Sequence, residues 1–227
     1  MVRLGDHVIA IGGALDSLNL EIFDLGTNSW IDVWPLPEPR SGHCSVVLDA
    51  YHVMLVGGGG QGGMNQTKVL DTLTGTWTTY PDIPAGRASG HACIKTQVDF
   101  QPDSEAGVMV TGGRDWQSAA GDLYPGRRVD FFSLKNHTWT QLGDSSFSQW
   151  EHKMTILDSA SWVSDRGNQR PVIIGGEYKV DSEEEIDGIH QRNFVQTFDN
   201  RDHWFCCIPQ LKWKRAYFQA VKIELNY

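Results

Sequence analysis

Short apolar runs rich in β-branched residues alternate along the chain with polar, glycine-rich turns, and four of these runs end in a glycine pair. The four are VIAIGG (8–13), VMLVGG (53–58), VMVTGG (108–113) and VIIGG (172–176). Each is followed by a second apolar run: LEIFDL (20–25), KVLDTL (68–73), RVDFFSL (128–134) and FVQTFD (194–199). Runs of this length between turn residues are typical of strands. The pattern therefore predicts four copies of one β-sheet unit.

Two further elements recur in the same order within each copy. A polar turn leads to a single tryptophan, in turn Trp30, Trp77, Trp139 and Trp204. A third apolar run then opens 13 or 14 residues later, with His43, His91, His152 or Phe218. The glycine pairs are 45, 55 and 63 residues apart. The spacing increases because residues are inserted between predicted strands. These insertions are at 97–106, 114–127, 158–170 and 177–191, where we expect surface loops.

The four copies resemble the kelch motif, whose period is about 50 residues. The resemblance implies an all-β, kelch-type β-propeller with four blades of four antiparallel strands. It is either closed into a ring by the C-terminal strand or a partial section of a larger ring. A single domain of residues 1–227 is expected. Its blades span about 5–34, 43–80, 91–142 and 152–208, with an extra inner strand at 216–225. Two departures are Phe218 in place of histidine and, in the third copy, the lack of an arginine corresponding to Arg40 and Arg87.

The recurring residues are interpreted as scaffold. Glycine permits positive φ and a close backbone approach, and we expect this of Gly12, Gly13, Gly57, Gly58, Gly112, Gly113, Gly175 and Gly176. The four tryptophans are expected to fill the wedge between neighbouring blades. His43, His91 and His152 could converge as metal ligands. We interpret them instead as packing residues, because the repeat already explains their recurrence, and we expect no metal and no cofactor.

Composition narrows the range of functions. The net charge is −9 without a basic run, which argues against nucleic acid as a partner. No apolar stretch approaches the roughly 18 residues of a membrane helix, and no signal peptide is recognisable, so a cytoplasmic location is predicted. Cys44 and Cys93 lie in apolar strands and are expected to be free thiols, in keeping with a reducing compartment.

No catalytic motif is recognised. The chain lacks a G-x-S-x-G nucleophile elbow. Its glycine-rich segment GGGGQGGM (57–64) lacks the Lys-Ser/Thr of a phosphate-binding loop. These absences led to the prediction that the protein is not an enzyme.

We expect function to depend instead on the loops between the strands, whose lengths differ among the four copies. With the strands of a blade labelled a to d, the b–c and d–a loops emerge at one end of each sheet, because strands alternate in direction. Arg, Trp and Tyr concentrate binding energy at interfaces. The predicted binding residues are Arg114, Trp116, Tyr124, Arg127, Arg128, Trp150, Tyr178 and His190.

The first hypothesis is a protein-binding scaffold that recognises an acidic peptide or protein loop through this face. A carbohydrate-binding or carbohydrate-active propeller of galactose-oxidase-like shape is the alternative. A truncated, non-functional fragment of a larger kelch protein is the second alternative.

Overall fold

The computed structural model describes residues 1–13, 18–32, 34–60, 63–100, 103–114, 126–145, 153–157, 170–179, 189–191, 195–199, 204–208 and 212. The chain divides into two compact units. Unit one is Met1–Ser89 with Arg114–Leu123, and unit two is Gly90–Gly113 with Tyr124–Tyr227. The described residues form strands and turns, with no helix among them. Among these described residues there is therefore no helix that could span a membrane.

Unit one contains two antiparallel sheets whose strands lie side by side in sequence order. The first sheet consists of β1 (Val2–Leu4), β2 (His7–Ile11), β3 (Leu20–Asp24) and β4 (Ser29–Asp32). The second consists of β5 (Cys44–Val47), β6 (His52–Val56), β7 (Thr67–Asp71) and β8 (Thr76–Tyr80). Val2 pairs with Ile9, so the first residues of the chain supply the a strand of the first sheet.

Two more four-stranded antiparallel sheets follow. The third consists of β9 (Ser89–Phe100), β10 (Asp103–Arg114), β11 (Arg128–Ser133) and β12 (Trp139–Asp144). The fourth consists of β13 (Lys153–Leu157), β14 (Arg170–Ile174), β17 (Val195–Asp199) and β18 (Trp204–Ile208). Between β14 and β17 runs a two-stranded ribbon, β15 (Glu177–Lys179) and β16 (Ile189–Gln191). Four sheets of four antiparallel strands confirm the predicted all-β, blade-type architecture. The segment 216–225, on which ring closure was to depend, lies outside the described residues.

Two of the predicted loop insertions are partly strand. Residues 97–100 belong to β9 and residues 103–106 to β10, and each of these strands is twelve residues long. The insertion at 177–191 contains the β15–β16 ribbon. Antiparallel pairing satisfies backbone N–H and C=O groups that a loop would leave to water, so an inserted segment with strand-forming residues continues the ladder.

Each unit has its own apolar cluster. In unit one, alternate residues of the first sheet pack against the second, because successive side chains of a strand point to opposite faces. The buried members of this cluster are Ile9, Ile11, Leu20, Ile22, Leu36, Val53, Leu55 and Leu70. In unit two the corresponding cluster is Val98, Met109, Val129, Phe131, Ile173 and Phe198. Burial of this kind contributes about 25 cal/mol per Å² of apolar surface.

The recurring tryptophans are not equivalent. Trp77 is partly buried and packs against the apolar cluster of unit one. Trp30 is 55% exposed, and its ring contacts Phe23 of its own sheet at a centroid distance of 5.2 Å. Trp139 contacts Phe132 at 5.1 Å. The ring of Trp77 thus packs on the cluster between the two sheets, whereas the ring of Trp30 is mainly in solvent.

The prediction that Cys44 and Cys93 are free thiols is wrong. Cys44 and Cys93 are each disulfide-bonded rather than free thiols. A disulfide requires two Cα atoms within roughly 4.4–6.8 Å, a condition that sequence spacing does not reveal. Cys44 and Cys93 therefore give no support to a reducing compartment.

Candidate functional site

The glycine pairs form tight corners at the end of each b strand. All eight glycines have φ between 60° and 143°, the region that favours glycine. In unit one these corners are held by the d–a loops. The Gly13 amide donates to the Arg40 carbonyl at 3.2 Å, and the Gly58 amide donates to the Arg87 carbonyl at 2.7 Å. We call the end of each sheet at which its b–c and d–a loops emerge the loop end of that sheet.

The Arg40 side chain connects two loops of the loop end. It is 3% exposed, and its guanidinium donates to the Gly57 carbonyl at 2.8 Å and also to Gln66 and Glu38. Glu38 in turn accepts from the Lys68 ammonium at 3.2 Å. Burial lowers the pKa of Arg40, and the neighbouring Glu38 opposes that shift. The Glu38 carboxylate thus lies between two cations, and Asp82 adds a second negative charge near Arg40, so the charges of this cluster balance.

Arg87 has the same position one repeat later and is fully buried. Its guanidinium donates to the Ala85 carbonyl at 3.1 Å, and its amide donates to the Met64 carbonyl at 2.7 Å. Both arginines that the sequence places before a histidine therefore serve the scaffold, and neither presents its guanidinium to solvent.

Of the histidines of the repeat, His43 is half-buried and His91 is buried. His43 packs against Gly12 and Gly58, and its Nδ1 is buried without a hydrogen-bond partner. Burial, with a smaller contribution from the positive charge of Arg40, lowers the pKa of His43 to about 4, so the ring is neutral at pH 7. His91 is 7% exposed, and His152 lies outside the described residues. Within the described ranges no group of three His, Cys, Asp or Glu side chains is arranged to hold a metal.

Three predicted binding arginines are described, Arg114 in unit one and Arg127 and Arg128 in unit two. Arg114 is half-buried, and its Nε donates to the Ser89 hydroxyl at 3.0 Å. Arg128 is also half-buried, and its Nε donates at 2.9 Å to each carboxylate oxygen of the fully buried Asp130. Arg127 is exposed.

Ser145 holds the backbone and the side chain of Arg127 together. The Arg127 Nε donates to the Ser145 carbonyl at 3.1 Å, and the Ser145 amide donates back to the Arg127 carbonyl at 2.6 Å. The exposed guanidinium is therefore attached at a fixed point.

Tyr178 and His190 are brought together. They are directly opposed positions of the β15–β16 ribbon. Trp116, Tyr124 and Trp150 lie outside the described residues.

Sequence reasoning missed the groups that support the arginines, namely Glu38, Gln66, Lys68, Asp130 and Ser145. Asp130 alternates with apolar residues within a strand, and a carboxylate in such a position requires a cation. That signal could have identified its pairing with Arg128.

The fold is that of a kelch-type β-propeller, as a comparison with solved structures shows. The structure titled "Structure of YjhT" superimposes with a TM-score of 0.67 over 95% of this chain and 71% of that one, at 15% sequence identity. At this level of identity the similarity shows the fold alone. No family model matches the chain.

Two curated proteins are similar in sequence. A kelch repeat-containing protein of Arabidopsis thaliana, At3g27220, is 34% identical over 88 residues, covering 36% of this chain and 21% of that protein. An N-(sulfonatooxy)prop-2-enimidothioate sulfolyase of Thlaspi arvense is 24% identical over 212 residues, covering 81% of this chain and 55% of the enzyme. The chain thus spans about a fifth and about half of the lengths of these relatives. They support a kelch-like fold.

The second relative also corrects the prediction that this protein is not an enzyme. An enzyme by name matches most of the chain. The prediction depended on missing motifs of serine hydrolases and phosphate-binding loops, and the lack of these two motifs does not exclude other catalytic chemistry. The match to an enzyme therefore points to catalysis as a possible function.

Proposed function

We propose that the loop end of the third sheet is a recognition surface and that it binds an acidic segment of a partner protein. The observation that carries the proposal is the exposed Arg127 guanidinium, which is attached through its Nε to the Ser145 carbonyl. A guanidinium held in place loses less side-chain entropy when it binds a carboxylate, and it can offer its remaining N–H groups in a planar fork.

The surrounding structure supports this role. The buried Asp130 carboxylate fixes Arg128 beside Arg127 in sequence. The chain as a whole carries a charge of −9, and Arg128 is paired with Asp130, so Arg127 is the exposed cation that these two positions offer to a ligand. An exposed cation attracts an acidic group over a range of about 10 Å at ordinary salt.

The test is fluorescence anisotropy of a fluorescein-labelled heptaglutamate peptide titrated with the full chain at low salt. We expect saturable binding that Arg127→Ala weakens at least fivefold. Lys135→Ala is the matched control, because Lys135 is an exposed cation in the turn before β12, at the opposite end of the same sheet. Equal weakening by the two variants, or none by Arg127→Ala, would refute the proposal.

A second candidate is a reaction on a sulfate-bearing small molecule at the same face. The match to the sulfolyase favours it, since the sulfonatooxy group named in that enzyme's substrate is an anion. Charge-assisted hydrogen bonds from a guanidinium such as that of Arg114 would stabilise a departing sulfate.

Sulfate release from N-(sulfonatooxy)prop-2-enimidothioate, measured by ion chromatography with and without the protein, tests this candidate. We expect release above the spontaneous rate and a loss of at least tenfold in Arg114→Ala. No acceleration by the protein would reject the reaction, while the peptide titration would be unaffected.

A further inference from the structure

A cavity of about 390 Å³ lies in unit one between the first and second sheets, at the end where the a–b and c–d turns emerge. We call this the turn end. Ile9 and Ile22, which are 0% and 7% exposed, form part of its wall, and Trp34 forms another part. A cavity of this size with mainly apolar walls is typical of a small-molecule site. It is separate from the loop end, and an inference about it does not depend on the function proposed there.

The mouth of the cavity carries large apolar side chains in contact with solvent. Ile31, Tyr51 and Leu73 line it and are 42%, 48% and 67% exposed. Single exposed apolar residues are ordinary, but three around one concavity form a patch, which marks a binding surface. His7 is a polar group at the same mouth.

The charge around the mouth is negative. The Asp24 carboxylate lies 3.7 Å from His7, Asp49 immediately precedes the lining residues Ala50 and Tyr51, and Asp71 immediately precedes Thr72 and Leu73. Asp6 lies between two lining residues as well.

Hydrogen bonds keep the carboxylates of Asp24 and Asp71 ionised at neutral pH. Backbone N–H groups of Thr27 and Gly26 lower the pKa of Asp24, and the Leu73 N–H lowers that of Asp71. The cation described nearby, Arg3, donates its Nε to the Gly5 carbonyl. Two imidazoles also face these carboxylates, His7 at 3.7 Å from Asp24 and His52 at 2.8 Å from Asp49. Four aspartates against these groups and Arg3 leave the mouth acidic.

We propose that this cavity binds a small organic cation with an aromatic body. The apolar body occupies the space beside Ile9 and Ile22, and the ammonium group stays at the mouth among the carboxylates. The exposed Tyr51 ring adds a cation–π surface at the same place. An anionic ligand of equal shape is repelled there, and a neutral one lacks the attraction.

The experiment uses the full chain labelled with ¹⁵N and titrated with 2-phenylethylamine, 2-phenylethanol and phenylacetate. We expect amide shifts at Gly5, Ala50 and Leu73 with a Kd on the order of 1 mM for the amine, as is typical of a nine-atom fragment. The alcohol should bind at least threefold more weakly, and phenylacetate should give no saturable shift. Equal or tighter binding of phenylacetate, or shifts confined to other residues, would overturn the assignment.

A pair of charge variants separates the cavity from the general field of the turn end. Leu73→Lys places a cation at the mouth and should weaken amine binding at least fivefold. Leu25→Lys is the matched control, because Leu25 is 44% exposed in the c–d turn of the first sheet and does not line the cavity. Comparable weakening by both variants would show attraction by net charge alone and would refute a site in the cavity.

Discussion

Replacing Gly12 by alanine tests whether the corner between strand b and the d–a loop is a close backbone contact. Gly12 has φ +60°, and a Cβ built there would lie well inside van der Waals contact with the Arg40 carbonyl oxygen. Gly5 provides a matched comparison, since its φ is +57° and a Cβ there would meet nothing within 4 Å. The two substitutions share the cost of the backbone conformation and differ in the contact.

The magnitudes follow from these two cases. A left-handed conformation costs a non-glycine residue about 1–2 kcal/mol, which is the whole effect expected of Gly5→Ala. At Gly12 the added carbon must also displace the Arg40 carbonyl, an overpacking cost of about 1–3 kcal/mol. The displacement weakens the Gly13–Arg40 hydrogen bond, a loss of about 1 kcal/mol. We therefore expect Gly12→Ala to lower the free energy of unfolding by about 3–6 kcal/mol.

Urea unfolding followed by tryptophan fluorescence measures both variants, and equal m values would show that only stability has changed. If the losses for Gly12→Ala and Gly5→Ala agree within about 0.5 kcal/mol, then the contact with Arg40 contributes nothing, and the structural role assigned to the first glycine of the pair is wrong.

Two further predictions concern residues of the repeat. His43 has its pKa lowered to about 4 in the folded protein, chiefly by burial, so only the unfolded chain takes up its proton as the pH falls from about 6.5. The free energy of unfolding should therefore decrease toward pH 4. His43→Phe should remove roughly 2–3 kcal/mol of that decrease. Identical urea profiles of the two proteins at pH 7, 5.5 and 4.5 would contradict this expectation. Trp77→Ala should cost about 2–4 kcal/mol because its ring packs on the apolar cluster, and Trp30→Ala less than about 1 kcal/mol because its ring is 55% exposed, so comparable urea midpoints would refute the distinction.

The sequence was sufficient to predict the strands of the repeat and their order. The runs before each glycine pair coincide with β2, β6, β10 and β14, and the runs after them coincide with β3, β7, β11 and β17. These positions are predictable because apolar content, β-branching and turn residues are local properties. The exposure of Trp30 was not predictable from its motif, because it depends on which face of the first sheet is covered by other residues.

The candidate sites depend on contacts that the sequence does not contain. Arg40 is a motif residue in the sequence, but its bond to Gln66 joins positions 26 residues apart. The cavity of the turn end needs residues from both sheets of unit one, none of which stands out in its own segment. Loop residues such as Arg127 could be proposed by type alone, whereas the attachment to Ser145 follows from the register of β11 and β12.

The acidic character of the turn end follows from the repeat itself. Asp24 and Asp71 end equivalent c strands, and the Oδ1 of each accepts two backbone N–H groups of the turn that follows. Ser133 does the same through its hydroxyl in the third sheet, so the turn requires an oxygen acceptor and not a negative charge. The turn would therefore form equally well with serine, and it does not by itself require the aspartates around the cavity. In unit one, two adjoining repeats both have aspartate at this position. Their carboxylates therefore stabilise the turns and also produce the negative potential that would favour a cationic ligand.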